Sequence, residues 1–576
     1  MNGEFQVIGR SASALFTLKL HRGDGMTLLA MNWKTGKPPR DFVGFAIEYK
    51  EPGGDRFFAL KNRLAFPRSG GGVDSTRLST MRSPIQKFRW VHFPRNAELS
   101  GEFVYRVTPV FMNDLDELSY GEAQEAAIEL RRETYPGQLN VTFTRGFVSS
   151  QAFVDRFAPD KDSLSTLIPA KADEGLDFVP THPKAKEALA WMGFEARDAI
   201  LEVLDEAIAD KKAQVRVVAY DLCELDVVSR LTKLGDRLKI VIDDSDAHGE
   251  PDSAETQAAK ILEASAGAGN VKRHHMSNLQ HNKTIVVDGP RVQAAVCGST
   301  NFTWRGFFVQ ANNALILRGN NAVRPFLSAF EDYWQHDSVA GFGQTASAKW
   351  TDLGLNGIDA KVAFSPHSTQ NALLAKVAAD IGEKTSSCLF YSLAFLFQTP
   401  GPIRDAIETL SKRNDIFVYG ISDKKVGGGL DLQKPDGNVS PVRPAALTKN
   451  IPEPFKSEPT GLVGGVGNRM HHKFIVIDFD KPSARVYLGS YNFSNPADTK
   501  NGENLLLIRD RRIAVSYTIE ALRIFDHYHF RVVQEEAKKT KKKLTLAKPP
   551  RSAGEEPWWA EDYSNARKIR DRELFA

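Results

Sequence analysis

The chain has 576 residues, 42% of them hydrophobic and 25% charged, the balance of a globular protein with material for about three or four domains. No apolar run approaches the roughly 20 residues that cross a bilayer, which argues against a helical membrane protein. The net charge of +4 is too small to identify an anionic partner by itself.

The N-terminal residues Met1-Asn2-Gly3-Glu4-Phe5 lack the basic start and apolar stretch of a secretory signal. Cys223, Cys297 and Cys388 lie far apart within apolar segments, which predicts buried free thiols in a reducing compartment. A cytoplasmic location is the expectation.

Residues 1–135 read as β-structure. Leu15–Leu20, Met26–Trp33, Val43–Tyr49, Phe57–Leu60 and Phe103–Phe111 are short aliphatic and aromatic runs, broken by turn clusters such as Glu51-Pro52-Gly53-Gly54-Asp55. This spacing predicts an all-β sandwich. The alternating runs Phe42–Tyr49 and Phe103–Val107 loosely resemble a fibronectin type III or immunoglobulin-like module, an accessory domain and not a second catalytic site.

The pattern then changes to α/β. Ile200, Leu201, Leu204 and Ile208 have helical spacing. Strands are predicted at 215–219, 238–242 and 284–287, and a helix at Val227–Leu234. Residues 140–345 form this first unit. The order recurs in residues 355–535, with helices at Leu373–Ile381 and Ile403–Leu410 and strands at Ser387–Tyr391, Ile416–Ile421 and Phe474–Ile477. An internal duplication of roughly 180 residues follows. The segments Asp243–Asn270 and Gly427–Val466 read as long loops rimming a site. Residues 536–576 form a basic C-terminal tail that starts with the lysine-rich run Lys538–Lys543; Trp558-Trp559 could anchor it.

Each unit carries the same motif. His281-Asn282-Lys283 leads to Asp288 and then Gly298-Ser299-Thr300-Asn301; His471-His472-Lys473 leads to Asp478 and then Gly489-Ser490-Tyr491-Asn492. On a strand, residues two apart share a face, so each unit can present imidazole, ammonium, hydroxyl and amide groups together. A phosphodiester repels nucleophiles and needs its leaving alkoxide protonated. Two imidazoles can divide those tasks, while lysines and amides hold the phosphoryl oxygens.

At these residues the chain resembles the phospholipase D superfamily, whose paired motif is His-x-Lys-x4-Asp followed by Gly-Ser-x-Asn. The resemblance covers roughly residues 180–530. It implies two repeated α/β/α sandwich domains forming a pseudo-dimer, a covalent phosphohistidine and neither a metal nor another cofactor. Carried over, the catalytic set is His281, Lys283 and Asn301 with His471, Lys473 and Asn492. Ser299 and Ser490 support phosphate binding, and Asp288 and Asp478 are structural.

The two repeats differ at one position. Asn501-Gly502-Glu503-Asn504 in the second matches Gln310-Ala311-Asn312-Asn313 in the first, setting a neutral Asn312 opposite Glu503. A carboxylate favours imidazolium and an amide does not. If each supports the histidine of its own repeat, His471 is the acid and His281 the nucleophile. The same amide-first arrangement occurs in the tyrosyl-DNA phosphodiesterase branch. The pairing could instead be crossed between repeats.

Asp244, Asp246, Gly249 and Glu255 partly mimic a calcium loop but read as a solvated turn. His274-His275 and Asp526-His527-Tyr528-His529 read as surface or packing histidines. The expected activity is a metal-independent phosphodiesterase. Lys272-Arg273 and Arg469 tilt the substrate towards nucleic acid, making it a nuclease. A phospholipase D acting on head groups, with the lysine-rich tail on an anionic membrane, is the alternative. A non-catalytic scaffold is the reading from another class. The sequence leaves the oligomeric state open.

Overall fold

A computed structural model describes residues 4–67, 78–130, 133–146, 157, 163–169, 174–396, 400–423, 430–434, 439–442, 470–541 and 544–576. The chain divides into two compact units. Unit 1 comprises Met1–Arg132, Lys434–Asn438 and Val515–Ala576; unit 2 comprises Glu133–Gln433 and Val439–Ala514. Among the described residues no helix is long and apolar enough to cross a membrane.

In unit 1 the strands are β1 (Gln6–Ile8), β2 (Phe16–Gly23), β3 (Met26–Trp33), β4 (Phe42–Lys50), β5 (Phe58–Ala59), β6 (Arg89–His92), β7 (Glu102–Met112), β8 (Leu118–Tyr120) and β9 (Gln124–Glu129). One sheet has the order β1-β2-β3-β6 and the other β5-β4-β7-β8, with β9 also paired to β7. Alternation along β7 turns Phe103, Tyr105 and Val107 inward. They meet Phe16, Leu18 and Leu20 of β2 in one apolar cluster, as expected for two sheets that each bury one face. The five strands anticipated here all form.

The C-terminal segment is part of this core. Trp559 belongs to the same cluster, Trp558 stacks on Phe88 at 5.3 Å, and the Trp558 indole N–H donates to the Phe42 carbonyl. The boundary set at residue 536 from the lysine run thus differs from the packing, which assigns Val515–Ala576 to unit 1. Two indoles supply more apolar area than the adjoining lysines can keep in solvent. Lys542 and Lys543, and the side chains of His527-Tyr528-His529, lie outside the described residues.

Unit 2 holds two large sheets of matching topology. The first contains β10 (Leu139–Phe143), β11 (Gln214–Ala219), β12 (Leu238–Ile242), β13 (Val271–Arg273), β14 (Lys283–Asp288), β15 (Gln293–Gly298) and β16 (Asn313–Arg318), in the order β10-β16-β15-β14-β11-β12-β13. The second contains β17 (Thr351–Asp352), β18 (Asp359–Ser365), β19 (Cys388–Leu393), β20 (Phe417–Asp423), β21 (Leu430–Gln433), β22 (Val439–Val442), β23 (Lys473–Ile477), β24 (Arg485–Gly489) and β25 (Glu503–Arg509). Its order is β17-β18-β25-β24-β23-β19-β20-β21-β22. In both, the strand after His-x-Lys lies between an antiparallel hairpin partner and a strand whose next neighbour is parallel.

Helices cover these sheets. Along α1 (Ala185–Ala209), the buried residues Met192, Ala196, Ala199, Ile200, Val203, Leu204 and Ala207 form an inward stripe at helical spacing. In the second repeat, α2 (Leu374–Lys384) and α3 (Pro402–Ser411) bury Val377, Ile381, Ile403 and Ile407. Each repeat has its own apolar cluster. The segment Asp243–Asn270, anticipated as loop, instead contains α4 (Ala254–Ala266), capped by Ser253 and stopped at Gly267. Most of Gly427–Val466 lies outside the described residues.

The motif glycines have a steric role. Gly298 and Gly489 adopt φ of 130° and 142°. A Cβ at Gly298 would lie 2.5 Å from the Asn313 carbonyl oxygen, a clash that only glycine avoids. That approach holds each Gly-Ser-x-Asn turn against the strand bearing Asn313 or Asn504.

Candidate active site

Backbone hydrogen bonds stitch the motif of one repeat to the other. The His471 N–H donates to the Ala311 carbonyl, and the Gly502 N–H donates to the Leu279 carbonyl. These contacts deliver Asn312 beside His471 and Glu503 beside His281. His281 Nδ1 lies 2.8 Å from Glu503 Oε2, and His471 Nδ1 lies 2.8 Å from Asn312 Oδ1. The pairing is therefore crossed, which overturns the expectation that Asn312 and Glu503 serve the histidines of their own repeats.

The middle residues of His-x-Lys are crossed as well. The Asn504 amide donates to Asn282 Oδ1 at 3.0 Å, and Asn313 Nδ2 lies 3.4 Å from His472 Nδ1. All four are fully buried. Sequence reasoning missed this layer because side chains between two motif residues carry no spacing signal of their own.

Ser299 and Ser490 are spent on support. Ser299 Oγ donates to Asn312 Oδ1 at 2.9 Å and accepts the Asn313 N–H; Ser490 Oγ accepts the Asn504 N–H and side-chain amide. Asn312 Nδ2 donates to the Gly306 carbonyl, so its oxygen faces His471. His471 then carries its proton on Nδ1, also aimed at the Ser299 carbonyl, and turns Nε2 towards Lys473 Nζ, 3.1 Å away. Both lysine ammoniums donate to the carbonyl of their own motif histidine.

Asn301 Nδ2 donates to Asp221, while Asn301 Oδ1 and Asn492 Oδ1 are buried without a hydrogen-bond partner among the described residues. Asp478 lies beyond the far end of β23, accepting the N–H groups of Ser386, Ser387 and Cys388. Asp288 closes β14 at the corresponding point.

Burial dominates the electrostatics. It drives the His281 pKa well down, assisted by the charges of Lys283 and Lys473. His471 is likewise driven down by burial, then by Lys473, Lys283 and Arg305. Burial brings Lys283 down to about 8 against the pull of Glu503, and lowers Lys473 strongly. It pushes the Glu503 carboxyl up to about 8, opposed by Lys283. The site thus concentrates basic groups beside Glu503 and Asp221, and a bound anion would favour their protonated forms.

Two other groups of potential metal donors occur among the described residues, Asp221–His248–Glu255 and Cys388–Asp478–Asp480. Their donor atoms are already engaged. His248 Nε2 lies 3.0 Å from Asp221 and Nδ1 2.9 Å from Asp243, Glu255 accepts the Leu222 N–H, and Asp478 holds backbone amides. The predicted solvated turn is half right: Asp246–Gly249 is a single turn, yet His248 and Glu255 point inward. His275 is exposed beside Asp244, and His274 packs against the Tyr333 carbonyl.

The basic residues taken as a nucleic-acid signal have structural partners. Lys272 donates to the Trp334 carbonyl, and Arg273 to Thr256, Asp243 and His248. Arg469 lies outside the described residues.

A family model described as "Cardiolipin synthase, PLD-like domain" matches residues 202–334 and 378–524. Phospholipase D of Rickettsia prowazekii (strain Madrid E) is 49% identical over 47 residues, 8% of this chain and 21% of that protein. Phospholipase D of Rickettsia bellii (strain RML369-C) is 30% identical over 120 residues, 20% of this chain and 58% of that protein. The match therefore spans less than two thirds of either curated relative. The crystal structure of Haemophilus influenzae phosphatidylserine synthase aligns with 61% of this chain and 92% of its own, at 12% identity and a TM-score of 0.40. Over residues 202–334 and 378–524, this chain is similar to the phospholipase D-like domain that this family model describes.

Proposed function

We propose that the two repeats act as a pseudo-dimer forming one metal-independent phosphodiesterase site with a phosphohistidine intermediate. The observation that carries this reading is the crossed pair of imidazole contacts, His281 to Glu503 and His471 to Asn312. Lys283 and Lys473 stand beside them to hold phosphoryl oxygens, with Asn301 and Asn492 as further amide ligands.

The crossed pairing gives new grounds for His281 as nucleophile. With the shared proton on Nδ1, the Nε2 lone pair of His281 is free to attack phosphorus. That bond forms as the bond to the leaving oxygen breaks, and positive charge grows on the imidazole. Glu503 stabilises that charge, as a triad carboxylate stabilises its histidine. His471, made imidazolium by the bound diester, gives its Nε2 proton to the leaving oxygen. In the second step His471 takes a proton from water, the hydroxide attacks phosphorus, and the P–N electron pair returns to His281 Nε2.

Nucleic acid is the proposed substrate, supported by the partly exposed Arg305 on the first-repeat side of the site. The phospholipid reading is favoured by the names of the two Rickettsia relatives. The two-sheet N-terminal part serves this site as a fibronectin- or immunoglobulin-like accessory module.

Single-stranded DNA, double-stranded DNA and phosphatidyl lipid vesicles assayed side by side in EDTA test the reading. Turnover of one class, lost in His281→Ala and His471→Ala, is the expected result. Turnover that vanishes in EDTA would overturn the metal-independent mechanism. No turnover of any diester would favour the scaffold, and a covalent adduct mapped to His471 would reverse the roles.

A further inference from the structure

A cluster beside His281 joins the ends of β11 and β12 to the segment before α4. Tyr220 follows β11 and donates its N–H to the Asn282 carbonyl, as Ala394 does to the His472 carbonyl after β19. By that correspondence Tyr220-Asp221 replaces Ala394-Phe395. At these two positions the first repeat has a phenol ring and a carboxylate, and the second an alanine and a phenylalanine.

His248 organises this wall. Its Nε2 contacts Asp221 at 3.0 Å and its Nδ1 contacts Asp243 at 2.9 Å. Glu255 completes a negative surround, its carboxyl raised to about 7 by burial and then by Asp221. Only an imidazolium can donate from both ring nitrogens at once.

Three neighbours of His248 touch the catalytic apparatus. Asp243 Oδ1 accepts the Gln280 N–H at 2.6 Å, fixing the peptide just before His281. Asp221 accepts the Asn301 side-chain amide. The Tyr220 ring lies between the imidazoles, its centroid 4.6 Å from that of His248 and 4.6 Å from that of His281. Lys283 Nζ lies 4.7 Å from the same ring.

We infer that His248 is a positioning residue for the nucleophile: held between Asp221 and Asp243, it clamps His281, Asn301 and Lys283 in attack geometry. This rests on the phosphodiesterase reading above. Burial opposes the charge on His248, but hydrogen bonds to Asp221 and Asp243 carry its pKa to about 11, so the clamp stays closed across the physiological range.

The test uses the full chain with bis(p-nitrophenyl) phosphate in EDTA, comparing wild type, His281→Ala, His248→Ala, His248→Gln and His248→Gly. The expected result is a roughly 10–100-fold lower kcat in His248→Ala, as for loss of an orienting contact, with KM little changed. Single-turnover formation of the covalent intermediate should slow equally, and added imidazole should restore part of the rate in His248→Gly. Stability alone would lower the thermal midpoint without slowing the rate per folded molecule.

A wild-type rate in His248→Ala, or in His248→Gln should the alanine variant not fold, would overturn the inference while leaving the phosphodiesterase reading intact. Mn2+ or Zn2+ that accelerates wild type but not His248→Ala would overturn it in favour of a metal site. Turnover unaffected by His281→Ala, or absent from wild type, would instead remove the reading on which it rests.

Discussion

His281 Nδ1 and Glu503 Oε2 lie 2.8 Å apart across 222 residues of sequence, both side chains buried. In the proposed mechanism one proton serves the pair, and when it sits on Nδ1 the Nε2 lone pair is the one that attacks. Glu503→Gln is expected to slow formation of the covalent intermediate by about 10²-fold or more, whatever the leaving group. Asn312→Ala acts through His471 and should slow only diesters with poorly acidic leaving groups. Rapid-quench kinetics with p-nitrophenol and alkyl leaving groups separate the two; equal losses in both variants would contradict the division of labour.

Lys283, with its pKa near 8, sets a pH dependence. Below that value its ammonium can grip phosphate; above it the charge is lost, so kcat/KM should fall on the alkaline side with an apparent pKa near 8. Lys283→Arg keeps its charge and should move that limb upward. Glu503 titrates in the same range, but its ionisation gives the carboxylate that supports His281 and would raise the rate with pH, so a falling limb that stays near 8 in the arginine variant would exclude Lys283 as its source.

Asp478 predicts a stability effect separable from catalysis. Asp478→Ala would leave the buried N–H groups of Ser387 and Cys388 without their acceptor, at a cost of about 3 kcal/mol. Asp478→Asn keeps one acceptor and the left-handed φ of 52°, so its loss should be smaller. Thermal unfolding measures both, while the rate per folded molecule stays at wild type.

Much of this was legible in the sequence. The strands after each His-x-Lys are runs such as Thr284–Val287 and Phe474–Ile477, whose β-branched and aromatic residues specify sheet. The glycine, serine and asparagine of each turn could be placed because their spacing repeats. The crossed partnership was not legible, because both pairings satisfy the same spacing and only the backbone contacts at Ala311 and Leu279 choose between them. His248 was hidden for another reason. Its partners Asp221 and Asp243 lie on different strand ends, and nothing in the Asp243–Asn270 segment marks an inward histidine.

Unit 1 yields a further expectation. Trp559 is buried in its core, so Trp559→Ala should destabilise that unit by about 3–5 kcal/mol. Limited proteolysis should then release fragments from residues 1–132 and 515–576 before unit 2 is cut. Simultaneous loss of both units would show that they unfold together.

The contacts Asn282–Asn504 and His472–Asn313 tie each motif to the opposite repeat at the point where the histidines emerge. Because each imidazole takes its proton acceptor from the facing repeat, parting the repeats even slightly would take away the orienting partner of both histidines at the same moment. Under the proposed mechanism, catalytic competence would report on closure of the seam, and a ligand that pries it open would silence attack and protonation together without touching either histidine.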